Sequence, residues 1–339
     1  MGRYAAARLS MVHGLPDYLE RHGVAPEKIF RGVGVASLSE VAEGAVVSRA
    51  QLCAALAHSA RNLGDPCLGL QIGALTDPAK LGASGYALLQ GRTLVECLRQ
   101  HARHITAIHS DVDLTIRIDG DTAVWTHTMR RAAPGEGLDL LYEGAAAFMC
   151  KTIRALAGAD WRPTLLRFPH PCRGKAAAYE DFFQAPVRFG TGTGADILFP
   201  AMLLGRQVAP IAPSAPGGGP AFDHVLEAVE TAGERIVAAV RTMIDGRLGD
   251  DSLSLSQISQ TLGIPLRSVQ RRLADHSHTF ESLLDQHRRQ RAEALVSAGN
   301  ASLTAIAMNL GYSDSAHFVR AFRRWTGRTP SAYLRSLSG

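Results

Sequence analysis

Apolar positions recur with helical spacing through most of the last third of the chain, and alternate with a period of two in only a few short runs before it. Two stretches share one pattern. Between Ser254 and Ala274, and again between Ser302 and Arg323, a short apolar-striped segment runs into a Leu-Gly step (Leu262-Gly263, then Leu310-Gly311). A second segment follows, with arginine on one face and apolar residues on the other. Each copy predicts a short helix, a tight turn and a second helix, which is a helix-turn-helix unit. Leu255 pairs with Leu303, Ile258 with Ile306 and Leu262 with Leu310 at one constant offset. One extra residue then brings Val269 onto Phe318, Arg271 onto Arg320 and Leu273 onto Phe322.

The same spacing predicts helices over Asp223 to Ile244 and over Phe280 to Val296, the latter between the two units. Ahead of them, Ala209 to Pro220 interleaves Pro210, Pro213, Pro216 and Pro220 with alanine and Gly217-Gly218-Gly219. Such a stretch holds neither helix nor central strand and predicts a linker. The part before it is mixed. Helical spacing covers Ser48 to Asn62, Thr93 to His109 and Leu138 to Leu156, the last with Leu141, Ala145, Phe148 and Ile153 along a stripe. Alternation over Asp113 to Ile118 and Thr122 to Met129, across Asp119-Gly120-Asp121, predicts a hairpin. Further short strands are expected at Thr164 to Phe168, Pro186 to Phe189 and Ile197 to Phe199. The expected chain is therefore multidomain. An α+β domain spans 1–208, a Pro/Gly-rich linker 209–221, and an all-α domain 222–339 carries helix-turn-helix units at 254–274 and 302–325.

Length and charge sharpen this. With 339 residues and 46% apolar content the chain can bury two cores. Its net charge of +5 is unevenly placed: from Arg267 onward eleven arginines face five carboxylates, a surplus of six, so the remainder carries −1. Basicity confined to the two-unit region is the electrostatic footprint phosphate requires. Five cysteines, Cys53, Cys67, Cys97, Cys150 and Cys172, are odd in number and widely spaced, which suggests neither a disulfide framework nor a zinc site. No apolar run approaches the ~20 residues of a membrane span and the start is too polar for a secretory signal, so a soluble cytoplasmic protein is expected.

The second helix of each unit can be read residue by residue. In the first, Ser254 and Gln257 have capping-box spacing for the opening helix. Leu266, Val269 and Leu273 fall on the core side of the next helix, which leaves Arg267, Ser268, Gln270 and Arg271 facing out. In the second, Phe318 and Phe322 hold the core side and Ser315, Ala316, His317, Arg320 and Arg324 are left for a groove or its rim. These are side chains that reach guanine N7/O6, adenine edges or phosphates. An ordinary amphipathic helix with solvated arginines would explain any one of these helices. It does not explain two copies in register with localised charge.

The run Leu310-Gly311-Tyr312-Ser313-Asp314-Ser315-Ala316-His317-Phe318, continuing to Thr326-Gly327-Arg328-Thr329-Pro330-Ser331-Ala332-Tyr333, resembles the C-terminal signature of the AraC/XylS transcription regulators. The resemblance extends back through Ser268-Val269-Gln270-Arg271-Arg272-Leu273 and Thr279-Phe280 to about Asp223. Gly82 to Gly91 with Arg92-Thr93-Leu94, and Phe183 to Pro200, resemble more weakly the arabinose-binding-type N-terminal domain of one branch of that family. The resemblance implies promoter DNA and RNA polymerase as partners, a small-molecule effector and a homodimer contact in the N-terminal domain, and action as an activator. It places Arg267 and Arg271 in one groove and Ser315, Ala316, His317 and Arg320 in the next. Two positions depart from the pattern. Pro265 stands where Ser313 stands in the second unit, so the first recognition helix loses a hydroxyl cap and gains a proline suited to an opening turn. Leu334-Arg335 replaces the usual arginine directly after the tyrosine, with no effect expected.

Catalytic signals are weak. His101, His104 and His109 fall within one expected helix, but only the first two share a face and no carboxylate completes a ligand set. Gly190-Thr191-Gly192-Thr193-Gly194 lacks the lysine of a phosphate loop and reads as a turn, and Gly32-Val33-Gly34 is a lone Gly-x-Gly. Trp125 and His127 share one face of a strand, where they line a pocket or pack in a core. No enzyme, cofactor or metal is expected. Two hypotheses stand: a ligand-responsive transcription factor, or an enzyme or carrier with a DNA-binding appendage. Nothing in the sequence identifies the effector.

Overall fold

The computed structural model describes residues 5–208, 232–250 and 253–337. The linker expected at 209–221 and the first residues of the helix expected from Asp223 lie outside the described residues. The described residues fall into two compact units, one within Met1–Ile29 and Ser37–Glu230, the other within Phe30–Ala36 and Thr231–Gly339.

The first unit is α+β. Strands β1 (Ala6–Arg8) and β2 (Val46–Ser48) form a small antiparallel pair. A five-stranded sheet contains β3 (Val112–Asp119), β4 (Thr122–Met129), β5 (Leu165–Arg167), β6 (Val187–Arg188) and β7 (Ala195–Pro200) in the order β3-β4-β7-β5-β6. All neighbours are antiparallel except β5 and β6. The expected hairpin is present: Asp119 pairs with Thr122 across Gly120, whose φ of 56° is the left-handed conformation a tight turn needs.

Helices α1 (Leu15–Arg21), α2 (Pro26–Gly32), α3 (Leu38–Ala42), α4 (Arg49–Leu63), α5 (Leu68–Leu75), α6 (Gly82–Leu88), α7 (Leu94–His104), α8 (Glu136–Ala157) and α9 (Ala176–Phe183) complete the order of elements. Ser48 and Gln51 form a reciprocal capping box that starts α4, and Gly64 closes it in the left-handed conformation. α7 ends at His104, followed by a 3-10 turn over Ile105–Ala107, so it is shorter than the periodicity suggests. His109 lies beyond it, fully buried and bridged to Ala7.

α8 is the spine of this unit. It packs against α4, α5, α7 and β7 and is buried on nearly every side. Its approach to α5 is set by glycines: a Cβ on Gly69 would lie 2.3 Å from the Leu140 carbonyl oxygen, and one on Gly73 would lie 2.2 Å from that of Gly144. No side chain fits at either point.

The second unit is all-helical: α10 (Ala232–Gly246), α11 (Leu255–Leu262), α12 (Leu266–Asp275), α13 (Phe280–Ala298), α14 (Leu303–Asn309), α15 (Ser315–Thr326) and α16 (Pro330–Leu337). The pairs α11/α12 and α14/α15 are two helix-turn-helix units. Ser254 and Ser302 cap their opening helices by accepting from Gln257 N–H and Ala305 N–H, and Gly263 and Gly311 take positive φ in the turns. α10 packs on both α12 and α13, while α13 packs on α14, α15 and α16. The second unit's core joins Ala292 and Val296 of α13 to Ile306, Ala307, Leu310, Phe318 and Phe322.

Gly73→Ala is expected to lower the stability of the first unit by about 1–3 kcal/mol, because the α5/α8 contact has no room to relax. Urea unfolding followed by circular dichroism measures it. An unchanged midpoint would show that the helices separate at no cost.

Candidate nucleic-acid interface and buried cavity

In the first helix-turn-helix unit, α12 buries Val269 and Leu273 and leaves Arg267, Gln270 and Arg271 exposed with Ser268 half-buried. Leu266 corrects the sequence reading. It is 39% exposed, because it opens the helix at N1, where the chain has not yet turned down onto the core. Pro265 is the N-cap itself and makes no side-chain cap. The expected capping box before it is only half formed: Ser254 caps Gln257 N–H, but the Gln257 side chain accepts from Arg247 Nη2 at 2.8 Å.

In the second unit the cap of α15 is Asp314, not Ser313; its carboxylate accepts from His317 N–H at 2.7 Å and meets His317 Nδ1 at 2.6 Å. These bonds hold the Asp314 carboxyl below its usual range. Pro265 thus stands opposite Asp314 once the extra residue of the second unit is counted, and the two recognition helices open differently.

Ala316, His317, Arg320 and Arg324 are exposed and Ser315 half-buried on α15. His317, Arg320 and Arg324 face an open groove of about 1070 Å³, whose other walls include Asp285, Arg288 and Met308. Asp285, which the sequence reading did not single out, pairs with Arg324 and accepts from Trp325 Nε1 at 2.9 Å. Arg288 donates to the Leu310 and Gly311 carbonyls at 2.9 and 3.1 Å and lies over the Tyr312 ring, clamping the turn. No periodicity distinguishes such an arginine from a solvated one. Arg267, Arg271 and Arg320, by contrast, take no ion pair or hydrogen bond within the described residues. Their charges are available to an incoming anion.

The first unit holds a cavity of about 60 Å³ among α5, α7, α8 and β4. Leu56, Ile72, Leu114, Phe148 and Met149 are among its mostly apolar walls; Trp125 and His127 line it too, so this strand face both packs and borders a pocket. Trp125 Nε1 and both ring nitrogens of His127 make no hydrogen bond within the described residues, and neither does the adjacent His109. His101, also on the wall, has Nδ1 beside the Ser84 carbonyl and hydroxyl at 3.2 and 3.0 Å. Burial keeps these imidazoles neutral: desolvation pulls His101 down to about 4 and His127 to about 3, the latter helped by His101 and Arg49. His104, one turn from His101, is exposed.

A second polar cluster sits behind α8. The fully buried Glu143 accepts from Tyr179 Oη at 2.7 Å, and desolvation pushes its carboxyl up to about 8. His170, Cys67, Asp139 and its partner Arg173 surround it. Among the described residues no three His, Cys, Asp or Glu side chains converge as a metal site, and all five cysteines are free thiols. Among the described residues no helix is long and apolar enough to cross a membrane.

A paired helix-turn-helix frame with unpaired arginines on both second helices defines a DNA-binding protein. Residues 23–208 match the arabinose-binding domain found at the N-terminal end of AraC transcription regulators, and residues 258–336 match a helix-turn-helix domain. The chain belongs to this family of DNA-binding transcriptional regulators. It is 26% identical over 279 residues to the ornithine utilization regulator of Pseudomonas aeruginosa, covering 82% of this chain and 81% of that one. It is 29% identical over 279 residues to the regulator VqsM of the same organism, covering 79% and 83%. Against the regulator VirS of Mycobacterium tuberculosis it is 27% identical over 332 residues, covering 96% and 95%. VqsM and VirS are helix-turn-helix transcriptional regulators by name.

The Glu143 carboxyl binds its proton more tightly in the folded chain, at about 8 against an ordinary 4.5. Its contribution to stability is therefore full below about pH 4.5 and is lost as pH rises to about 8. The lowered histidines act in the opposite sense, losing their contribution as pH falls below 6.5. Between pH 6.5 and 8 the wild-type first unit should lose stability at up to about 1.4 kcal/mol per pH unit, and Glu143→Gln should flatten that slope. Equal slopes in denaturant unfolding across this window would place the Glu143 carboxyl among ordinary ionised carboxylates.

Proposed function

We propose that this regulator reads promoter DNA with two recognition helices per protomer and that a small molecule in the first unit controls the outcome. The observation that carries the reading is the recurrence of one exposed, unpartnered arginine at the same position of both second helices, Arg271 and Arg320. Arg267, Ser268, Gln270 and Arg271 then address one major-groove segment and Ser315, Ala316, His317 and Arg320 the next. Arg324 belongs to the rim, because Asp285 already holds it.

The domain plan that fits this is a sensing and dimerisation domain over 1–208, a linker over 209–221 and a DNA-binding domain over 222–339. Homodimers would present two such pairs of helices, and RNA polymerase recruited beside them would make the regulator an activator. The relatives support this reading: the name of one ties it to the use of a small metabolite. The cavity among α5, α7, α8 and β4 is consistent with an effector bound in the first unit.

Binding is measured by fluorescence anisotropy at one fixed salt, on a site selected from random oligonucleotides and on its single-base variants. Arg271→Ala and Arg320→Ala should each weaken specific binding by about 1–3 kcal/mol and relax base preference in different halves of the site. Arg324→Ala should cost less than Arg320→Ala. Equal losses on the selected site and on random DNA would reduce both arginines to phosphate contacts and remove the base-reading role.

A further inference from the structure

We propose that the cavity among α5, α7, α8 and β4 is a ligand site for a small, uncharged, mainly apolar molecule bearing one hydrogen-bond-accepting oxygen, which takes the indole N–H of Trp125. This deepens the effector reading above and rests on it for the regulatory consequence alone.

The donor set decides the chemistry. Trp125 Nε1 is donor only, is 1% exposed and has no acceptor among the described residues. A neutral His127 beside it, equally buried, offers one further N–H and one acceptor, both unused. Trp125 lines the cavity, and its indole N–H, left without a partner in an apolar interior, costs stability that a ligand oxygen reaching it would restore. The Thr76 hydroxyl lies 2.9 Å from the Ile72 carbonyl and His101 Nδ1 is held at Ser84, so beyond Trp125 and His127 the lining side chains add only His101 Nε2.

The walls also exclude candidates that names would suggest. A pentose brings four hydroxyls and a ring oxygen, more than Trp125, His127 and His101 Nε2 can satisfy, and each hydroxyl buried without a partner is penalised. Ornithine brings two ammonium groups and a carboxylate, and no acidic or permanently basic residue lines the cavity. The nearby Arg49 guanidinium donates to the Arg130, Ser110 and Asp111 carbonyls and adds positive field, which disfavours a cation further.

Size sets the remaining limit. A cavity of about 60 Å³ is well below the ~150 Å³ that accepts benzene. Met11 and Met149 line it, and methionine is the side chain that yields most readily to an entering group. A five- or six-carbon carbonyl compound therefore enters by displacing thioethers and leaves the frame intact.

The probes are cyclopentanone, cyclopentane, L-arabinose and L-ornithine, titrated into the full-length protein while the Trp125 indole N–H resonance is followed. That resonance is assigned by its loss in Trp125→Phe. Cyclopentanone should move it downfield saturably, and cyclopentane should bind without the downfield move. Trp125→Phe should weaken cyclopentanone about tenfold while leaving cyclopentane nearly unchanged, read from thermal shifts. Ala145→Leu, which fills the cavity from α8, should abolish both and serves as the second variant if Trp125→Phe fails to fold. The site is overturned if no ketone binds, if binding ignores both substitutions, or if arabinose or ornithine is the probe that saturates. Cyclopentanone bound as predicted with no change in DNA affinity sustains the site and counts against effector control alone.

Discussion

The DNA-binding unit depends on one shared element, the 19-residue helix α13, which has apolar residues buried at both ends. Phe280 and Leu283 are buried near its start, where α10 lies against it, and Ala292 and Val296 are buried near its end in the core of the second helix-turn-helix unit. α10 lies on α12 as well, so the first recognition helix is tied to α13 through it. Burying each large side chain is worth about 1.5–3 kcal/mol, so separating the two units from α13 would expose several such groups at once. At about 1.5 Å per residue α13 is ~28 Å long, close to the ~34 Å turn of the duplex. The spacing of the two reading heads is thus a property of a packed helix, not of a linker.

The first unit solves a different problem. Its spine α8 comes close enough to α5 to exclude side chains at Gly69 and Gly73, yet a small cavity is left beside that contact. A core optimised for stability alone would fill the space and satisfy Trp125, His127 and His109. Instead desolvation holds the His127 and His109 imidazoles neutral, and their hydrogen-bonding capacity stays unused. Unused polar groups beside an unfilled space are costly in isolation, and the ligand site proposed above would give that cost a role.

Much of this was legible in the sequence, and the exceptions have physical causes. The two helix-turn-helix units, α4, α8 and the β3/β4 hairpin were readable because each spans enough residues for a period to show. α5 and α6 have eight and seven residues, barely two turns, and their contacts are made by glycines that carry no apolar signal. α7 was read too long because Ile105 and Ile108 continue its spacing after the hydrogen-bonding pattern has changed to 3-10. On the recognition helices the exposed faces could be read, but Leu266 at N1, the Asp314 cap and the Asp285–Arg324 pair could not. Each depends on where the helix starts or on what lies across from it, and neither is encoded in the period of one segment. The same holds for the cavity: Trp125 and His127 were visible as a shared strand face, whereas the missing partners on α5 and α8 were not.

The central claim is that one protomer presents two recognition helices at a fixed spacing. Hydroxyl-radical footprinting on the selected site, and on the same site with five base pairs inserted between its two halves, tests this most directly. The insertion turns one half to the opposite face of the duplex, and a frame held by α13 cannot follow. Protection should therefore persist on one half and vanish from the other. Undiminished protection of both halves by a single protomer would contradict the rigid spacing and with it the role assigned to α13.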